Sequence, residues 1–294
     1  MKEKAFSCLK NIPMSTLTTF RIGGLCDALY RPQGIEETVQ LLQDLDEKII
    51  LGKGSNVLVS DDGLRTPVVQ MGGINHMVFE EDSVRAGCGV SLPELAREAA
   101  RKGLSGLEWA AGIPGSVGGG VVMNAGAYDG EMSQVVKQVL IFDGQEVQEI
   151  SRFDFAYRHS IFLQNPNHIV LEATLQLIPD EVLKIRARMD KWKAARDEKQ
   201  PVTLPSGGSF FKRPPKAFAA ALIDKCGLRG ATVGGAQISL KHAGFLVNKG
   251  GATCQDVLEL AKMVRCRVAE ETGFLLEPEV RLLAEFSWED VWNF

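Results

Sequence analysis

Apolar residues follow two different spacings along the first 180 positions of the chain. Over residues 35–45 and 92–99 they recur every three or four positions, which predicts two amphipathic helices. Ser91 and Pro93 are typical of a helix start, because serine caps the first turn and proline needs no N–H there. Short apolar runs predict strands at 49–51, 57–59, 68–71, 84–87, 139–142 and 169–177. This part of the chain is therefore predicted to be mixed α+β, with helices inserted between strands.

The pattern changes after Pro179, where a charged segment with one apolar stripe predicts a helix that ends near Pro201 and connects two domains. Beyond it, apolar periodicity predicts helices at 218–226 and 255–271 and strands at 236–239, 244–248 and 280–284. Residues 286–294 contain two tryptophans and two phenylalanines, and Ser287 with Asp290 resembles a capping box that opens a short helical turn. We expect the tryptophans to pack on the domain surface, with an oligomer contact as the alternative. The predicted domains are 15–180, in two lobes that divide near residue 60, then 198–285, then the tail 286–294.

Composition excludes several classes of protein. Of 294 residues, 45% are apolar and 24% are charged, which is ordinary for a globular protein, and the net charge of −4 argues against a general nucleic-acid binder. The six cysteines form no C-x-x-C pair and the four histidines lack metal-ligand spacing, so we expect reduced core thiols and no metal. No apolar h-region follows Met1–Lys4 and no apolar run approaches the ~20 residues of a membrane span. A soluble, cytoplasmic protein is expected.

Glycine is the one departure from average usage, with 30 residues, of which thirteen lie in three clusters within 21–24, 52–57 and 103–130. Clustered glycines let a backbone approach a ligand closely and donate N–H groups to anionic oxygens, which favours a phosphate-bearing ligand over a set of ordinary turns. The P-loop, nucleophile-elbow and H-E-x-x-H motifs are absent. The segment Gly52–Val57 begins like a dinucleotide fingerprint, but Val57 stands where the third glycine belongs, so a simple Rossmann site is weakly supported.

Eight short segments occur in a distinctive order from residue 18 to residue 281. They are Thr18–Gly24, Gly52–Val59, Gly112–Gly120, Met123–Tyr128, Tyr157–Phe162, Pro205–Lys212, His242–Asn248 and Leu276–Arg281. In this order they resemble the UDP-N-acetylenolpyruvoylglucosamine reductases (the MurB family), from about Asn11 to Leu283. The resemblance implies an α+β fold with a two-part FAD-binding domain of the vanillyl-alcohol-oxidase or PCMH type, followed by a smaller α/β substrate-binding domain. The short stretch between Tyr157 and Ser209 resembles the type II subgroup, which lacks a tyrosine-bearing substrate loop.

The activity implied by the resemblance is a UDP-N-acetylmuramate dehydrogenase of peptidoglycan synthesis, in which NADPH reduces an enolpyruvyl ether on a UDP-sugar through FAD. Arg158 matches the cation beside the carboxylate, since a guanidinium grips a carboxylate in two places. Ser209 matches the family's proton donor, and Glu279 matches the glutamate that polarises the enol acid. The implied partner is a small-molecule UDP-sugar, with no nucleic acid, no membrane span and a monomeric state.

The resemblance also implies binding residues. Those expected to hold FAD are Arg21, Gly52, Lys53, Gly54, Ser55, Asn56, Val57, Gly112, Ile113, Pro114, Gly115, Ser116, Gly118, Gly119, Asn124, Ala125 and Gly126. Those expected to hold the substrate are Tyr128, Tyr157, Lys212 and Arg213. Arg213 departs from the family, which has an asparagine in substrate contact at this position, so the polar contact carried over there is in doubt.

Two other functions compete with this interpretation. A flavin oxidase or dehydrogenase of the vanillyl-alcohol-oxidase type shares the cofactor fold, but usually lacks the sequence contexts of Ser209 and Glu279. A flavin- or nucleotide-binding module with decayed catalytic residues is the non-enzymatic alternative, and intact Arg158, Ser209 and Glu279 argue against it. Fast oxygen consumption by the reduced protein without UDP-sugar would identify the oxidase.

Overall fold

The computed structural model describes residues 6–293, so Phe294 of the predicted tail and the first residues Met1–Lys4 lie outside the described residues. Within that range the α-helices are α1 (Gly34–Asp44), α2 (Leu92–Arg101), α3 (Val117–Met123), α4 (Ile161–Gln164), α5 (Val182–Lys199), α6 (Ala219–Lys225), α7 (Cys254–Thr272) and α8 (Trp288–Asn293). The strands are β1 (Cys8–Leu9), β2 (Ile12–Pro13), β3 (Leu25–Cys26), β4 (Leu29–Tyr30), β5 (Ile49–Leu51), β6 (Val57–Val59), β7 (Val68–Gln70), β8 (Met77–Glu80), β9 (Ser83–Gly87), β10 (Leu104–Ser105), β11 (Gly126–Ala127), β12 (Gly130–Glu131), β13 (Val136–Phe142), β14 (Val147–Ile150), β15 (Ile169–Gln176), β16 (Ile178–Pro179), β17 (Ser206–Ser209), β18 (Thr232–Val233), β19 (Ala236–Ile238), β20 (Phe245–Asn248) and β21 (Arg281–Leu283).

Among the described residues, the first compact unit comprises 6–9, 28–53 and 66–195. It holds a four-stranded sheet of order β1-β4-β7-β5 and a five-stranded antiparallel sheet of order β14-β13-β15-β9-β8. The apolar stripe of α2 is buried in the core of this unit, and Ser91 caps α2 by accepting the N–H of Glu94, as the sequence predicts. The unit also carries the short hairpin β11–β12 and the helix α3.

The second compact unit comprises, of the residues that the structure describes, 10–27, 54–65 and 196–293. Its antiparallel sheet has the order β17-β20-β19-β18, and α6, α7 and α8 pack around a separate core. The residues predicted to form the buried stripe of α7, such as Val257 and Val264, are fully buried. Strand β6 pairs in parallel with β21, which joins residues 57–59 to residues 281–283.

The compact units do not follow the predicted linear domain boundaries. Residues 10–27 and 54–65 belong with the C-terminal part of the chain, because β6 pairs with β21 and Asn248 donates to the carbonyl of Phe20. The predicted connecting helix is present as α5, and the division between the units falls within it, after Ala195.

Two further predictions have clear outcomes. Cys26, Cys88 and Cys254 are buried as expected, but the prediction of core thiols is wrong for Cys266, which is exposed on α7. The predicted aromatic tail packs on its own unit, since Trp288 and Trp292 contact the second core. Within residues 6–293, no helix has both the length and the apolar character that crossing a bilayer requires.

Candidate functional site

Arg158 lies in the first unit, on a loop whose backbone is bent by a positive φ of 51° at this residue. Its guanidinium donates to the carbonyl of Gly126 at 3.1 Å and, more weakly, to that of Asn124 at 3.4 Å. The guanidinium also lies over the ring of Tyr157, 5.0 Å from the ring centre, in a cation–π contact. Two backbone carbonyls and an aromatic ring therefore help to fix the direction of this side chain.

Asn124 organises this loop from inside the protein. It ends α3 in the left-handed conformation (φ 42°) and is fully buried. Its amide nitrogen donates to the carbonyl of Ala156 at 3.0 Å, and its amide oxygen accepts the N–H of Ser133 at 2.9 Å. The side chain predicted to hold cofactor thus ties β11–β12 to the segment that carries Arg158.

Tyr128 lies at the turn of the hairpin β11–β12. Both turn residues, Tyr128 and Asp129, have positive φ values of 51° and 64°, as in the two-residue turn favoured by hairpins. Gly130 lies against the indole of buried Trp109, where an added Cβ would meet Cδ1 at 2.1 Å. The Tyr128 ring stacks on Trp192 of α5, with centroids 5.7 Å apart and planes within 2°.

Helix α5 is held to the first unit by ion pairs between Arg188, which is half-exposed, and the carboxylates of buried Glu108 and half-buried Asp180. Arg188 donates to Glu108 at 2.7 and 2.9 Å and to Asp180 at 2.6 Å. Burial acts to raise the pKa of Glu108, but the Gly106 N–H and the Arg188 guanidinium outweigh it and hold the pKa below its usual value. The pair therefore stays charged at neutral pH and fixes the part of α5 that carries Trp192.

The glycine-rich segment 112–120 is more structured than its composition predicts. Residues 117–123 form α3 although three glycines disfavour a helix, and Ser116 caps it by accepting the N–H of Gly119. A Cβ at Gly118 would lie 2.8 Å from that of Cys88, and a Cβ at Gly52 would lie 2.5 Å from the Ser116 hydroxyl. Close packing therefore requires these glycines.

Several backbone donors expected to face the cofactor are already used in this segment. The N–H groups of Ile113, Gly115 and Gly118 donate to the carbonyls of Ala110, Ile113 and Cys88. Gly119 lies within α3, which Ser116, Ala125 and Gly126 flank. Gly112 ends the short 3-10 helix Glu108–Gly112, and Pro114 follows two residues later. A ligand can therefore approach the backbone of this segment closely. It finds fewer available N–H donors there than the glycine-rich sequence predicts.

The loop 53–56 offers more available backbone donors for an anion than the segment 112–120 does. Gly54 has a φ of 62°, and a Cβ there would meet the carbonyl oxygen of Leu17 at 2.1 Å. Among residues 6–293, no protein acceptor is in hydrogen-bonding geometry with the N–H groups of Lys53, Gly54, Ser55 or Asn56. Successive backbone donors around a left-handed glycine form the kind of nest that binds phosphate, so this loop fits the diphosphate of a dinucleotide.

Ser209 is presented by a β-bulge. Ser206 pairs with Val247 and Ser209 pairs with Phe245, so three steps along β17 face two steps along β20. Gly208 takes a φ of 84° inside the bulge, with open space around its Cα. A bulge redirects the side chain that follows it, and Ser209 is exposed while Phe210 beside it is fully buried.

Glu279 and Lys212 lie on a short antiparallel pairing that continues from the bulge. The N–H of Glu279 donates to the carbonyl of Phe210 and the N–H of Lys212 donates to the carbonyl of Glu277, both at 2.8 Å. The side chain of Asn56 donates to the carbonyl of Glu279 at 3.2 Å. Two predicted catalytic residues, Ser209 and Glu279, are thereby joined to the predicted cofactor loop within one unit.

Among the remaining predicted contacts, Arg21 and Arg213 are exposed and Lys212 is half-buried. Arg21 has a φ of 56° in the loop whose carbonyls accept from Asn248. Lys212 pairs with Glu277 at 3.3 Å, and the guanidinium of Arg213 lies 4.9 Å from the ring centre of Phe218. Arg213, which replaces the family's asparagine, thus contacts an exposed aromatic ring.

Comparison with known proteins identifies the family. A model of the UDP-N-acetylenolpyruvoylglucosamine reductase C-terminal domain matches residues 200–283, and a model of an FAD-binding domain matches residues 27–151. A reductase of this name from Clostridium novyi is 43% identical over 94% of this chain and 92% of its own length. One from Pediococcus pentosaceus is 42% identical over 94% of both chains. The chain belongs to the UDP-N-acetylenolpyruvoylglucosamine reductase family.

A solved structure supports the same assignment. The crystal structure of the reductase from Thermus caldophilus has a TM-score of 0.84 and 35% identity, and covers 95% of this chain and all of its own. The predicted family, the α+β fold class, the FAD cofactor and the class of enzyme, an FAD-dependent oxidoreductase, are confirmed.

Two residues that shape the site are not predicted by the sequence. Its patterns do not identify Gly208 as the centre of a bulge, and they do not predict the stacking of Trp192 on Tyr128. The signal for Gly208 was present in the Ser206–Ser209 run, because two glycines inside a strand favour a bulge.

Proposed function

We propose that this chain catalyses the NADPH-dependent reduction of UDP-N-acetylglucosamine enolpyruvate to UDP-N-acetylmuramate, with FAD as its cofactor. Family membership supports the reaction. The observation that carries the assignment of roles is the pairing of 210–212 with 277–279, which holds Ser209, Lys212 and Glu279 on adjoining backbone.

FAD fits the residues that are present. The donors of Lys53–Asn56 suit its diphosphate, and the guanidinium of Arg21 adds positive charge. If bound, FAD would supply the redox chemistry, with NADPH as the hydride source and the enolpyruvyl group of the substrate as the hydride acceptor. The protein contributes orientation and charge stabilisation.

Arg158 stabilises the negative charge that develops on the substrate carboxylate. Its guanidinium can donate two parallel hydrogen bonds to a carboxylate. The carbonyls of Gly126 and Asn124 accept from it and fix its direction, so little reorganisation is needed as charge develops.

Ser209 donates its hydroxyl proton to the α-carbon, and Glu279 in its protonated form donates a hydrogen bond to the enediolate oxygen. A serine hydroxyl is a weak acid, so its position matters more than its intrinsic pKa. The bulge at Gly208 turns Ser209 outward from the core side occupied by Phe210, which supports this role.

Substrate binding is assigned to four residues. Lys212 and Arg213 offer positive charge to the UDP diphosphate, and the rings of Tyr128 and Tyr157 offer aromatic surface. Tyr157 is 46% exposed, so its ring is accessible to a ligand. We further propose that the enzyme acts in the cytoplasm and as a monomer, because no assigned role needs a second chain; light scattering of the purified holoenzyme tests the oligomeric state.

An anaerobic titration tests the proposed function. The purified yellow protein is reduced with NADPH, and UDP-N-acetylglucosamine enolpyruvate is then added while the flavin absorbance is followed. Bleaching by NADPH and recovery of colour with this substrate alone are expected. Recovery only with oxygen would instead indicate an oxidase, and failure to bind FAD would refute the proposal.

A further inference from the structure

A short aromatic helix at the end of the chain contacts both segments that carry the proposed proton-transfer residues. Helix α8 spans Trp288–Asn293 and lies beyond residue 283, where the match to the family model ends. It belongs to the second unit, like Ser209 and Glu279. None of the roles assigned above involves it.

Trp288 makes two contacts of different kinds. The edge of its indole packs on the ring of Phe210, with centroids 5.7 Å apart and planes at 85°. Its Nε1–H donates to the carbonyl of Val280 at 2.9 Å. Phe210 directly follows Ser209, and Val280 directly follows Glu279, so one side chain supports both neighbours of the proposed pair.

The residues under Trp288 cannot easily be supported in another way. Phe210 and Val280 are 0% and 1% exposed, and the Val280 carbonyl loses its recorded side-chain donor if the indole N–H is removed. An unsatisfied buried carbonyl is costly, and the backbone relaxes to avoid it. Such a relaxation would move Glu279 directly.

Helix α8 is itself held by contacts from α7. Six residues are too few for a stable isolated helix, even with the Ser287–Asp290 cap. Trp292 stacks on Trp288 with centroids 5.1 Å apart, and the Arg265 guanidinium lies 4.8 Å from the Trp292 ring centre. Arg265 also donates to the carbonyl of Leu276 at 3.1 Å, on the segment that leads to Glu279.

We propose that Trp288 is a positioning residue for proton transfer. Its ring sets the backbone at Phe210 and its N–H sets the backbone at Val280, and together they keep Ser209 and Glu279 in register across the 210–212 and 277–279 pairing. This inference rests on the roles proposed for Ser209 and Glu279. In this proposal, the packing of the tail on the second unit serves to position Ser209 and Glu279.

The test compares two substitutions in the intact FAD-loaded enzyme by stopped-flow spectroscopy. Trp288→Phe keeps a ring beside Phe210 and removes the N–H, whereas Trp288→Ala removes both contacts. Flavin reduction by NADPH should be unchanged in each variant. Reoxidation by the enolpyruvyl substrate should slow on the order of 10- to 100-fold in Trp288→Ala and by less in Trp288→Phe, because small displacements of reacting groups have effects of this size. The solvent deuterium isotope effect on reoxidation should rise.

Matched controls separate positioning from stability. Glu289→Ala alters an exposed neighbour on α8 and should change neither half-reaction. If both half-reactions of Trp288→Phe fall by the same factor along with Tm, the role is merely structural and the proposal fails. Unchanged reoxidation in Trp288→Phe and Trp288→Ala overturns it as well.

Ser209→Ala, measured in parallel, separates a failure of the positioning role of Trp288 from a failure of the proton-donor role of Ser209. If Ser209→Ala abolishes reoxidation while the Trp288 variants retain it, only the positioning role is wrong. If Ser209→Ala reoxidises normally, the proton-donor role fails first. Should Trp288→Ala not retain FAD, Trp288→Phe alone decides the outcome.

Discussion

The bulge at Gly208 offers a direct test of how the backbone presents Ser209. Gly208 has a φ of 84°, and no heavy atom lies within 4 Å of a Cβ built there. Gly208→Ala therefore introduces backbone strain without a side-chain clash. The variant has two ways to respond: it keeps the bulge and carries the strain, or it relaxes the bulge and redirects Ser209.

The size of the effect follows from two opposing contributions. A left-handed conformation costs a residue with a Cβ roughly 1–2 kcal/mol. Replacing glycine by alanine also lowers the conformational entropy of the unfolded chain, which stabilises the folded protein by about 0.4–1 kcal/mol. The net loss in free energy of unfolding should be about 1 kcal/mol if the bulge persists, which lowers Tm by about 2 °C in a chain of this length.

Gly227→Ala is the matched control for this strain. Gly227 has a φ of 67° after α6 and is likewise surrounded by open space, but it adjoins no residue with a proposed catalytic role. Both variants should lose similar stability in urea unfolding followed by circular dichroism. Only Gly208→Ala should slow reoxidation by the enolpyruvyl substrate, with flavin reduction by NADPH intact in both.

Two results would refute this reasoning. Gly208→Ala with full stability, beside a destabilised Gly227→Ala, would mean that the left-handed conformation at position 208 is not enforced. Equal destabilisation with normal reoxidation in both variants would mean that the bulge does not determine how Ser209 acts.

Three further predictions concern proton donation, pH and thiol reactivity. Ser209→Ala should retain FAD binding and flavin reduction, its internal control, and reoxidise slower by orders of magnitude; equal losses in both half-reactions would indicate a structural role. Burial, and secondarily the charge of Arg229, lowers the pKa of His242 in the folded protein. Below about pH 6.5 the unfolded chain therefore binds more protons at His242 than the folded protein does, and the free energy of unfolding should fall as the pH drops through this range. His242→Asn should lose that slope in urea titrations at several pH values, and a retained slope would assign it to other groups. Burial raises the pKa of Cys88 and of Cys254 to about 12, so a thiol reagent should label exposed Cys266 in the folded protein and those two only after unfolding; labelling of Cys88 in the folded state would contradict the packing.

Local structure was largely accessible from the sequence. The spacing of apolar residues located α1, α2, α5 and α7, and the caps at Ser91 and Ser287 were visible because capping depends on residues three positions apart. The ordered motifs also identified the family and its cofactor, as the comparisons confirm. These features depend on neighbours in the chain, so a single sequence carries them.

Features that depend on distant residues were not predicted. Helix α3 forms through three glycines because Gly118 must lie against Cys88, a contact between residues thirty positions apart. The burial of Asn124 and the bonds of its side chain to Ala156 and Ser133 likewise cannot be inferred from its neighbours in the chain.

The tertiary structure alone decided how the second unit is composed and what supports the proposed catalytic pair. The sequence determined that strands exist at 57–59 and near 281, but a strand does not specify its partner, and only the folded chain joins β6 to β21. Likewise, the composition of the tail showed that tryptophans were present, whereas the pairing of Trp288 with Phe210 and Val280 required both chain segments to be in place. The periodicity of apolar residues encodes which face of an element is buried. Long-range packing determines which other segment covers that face.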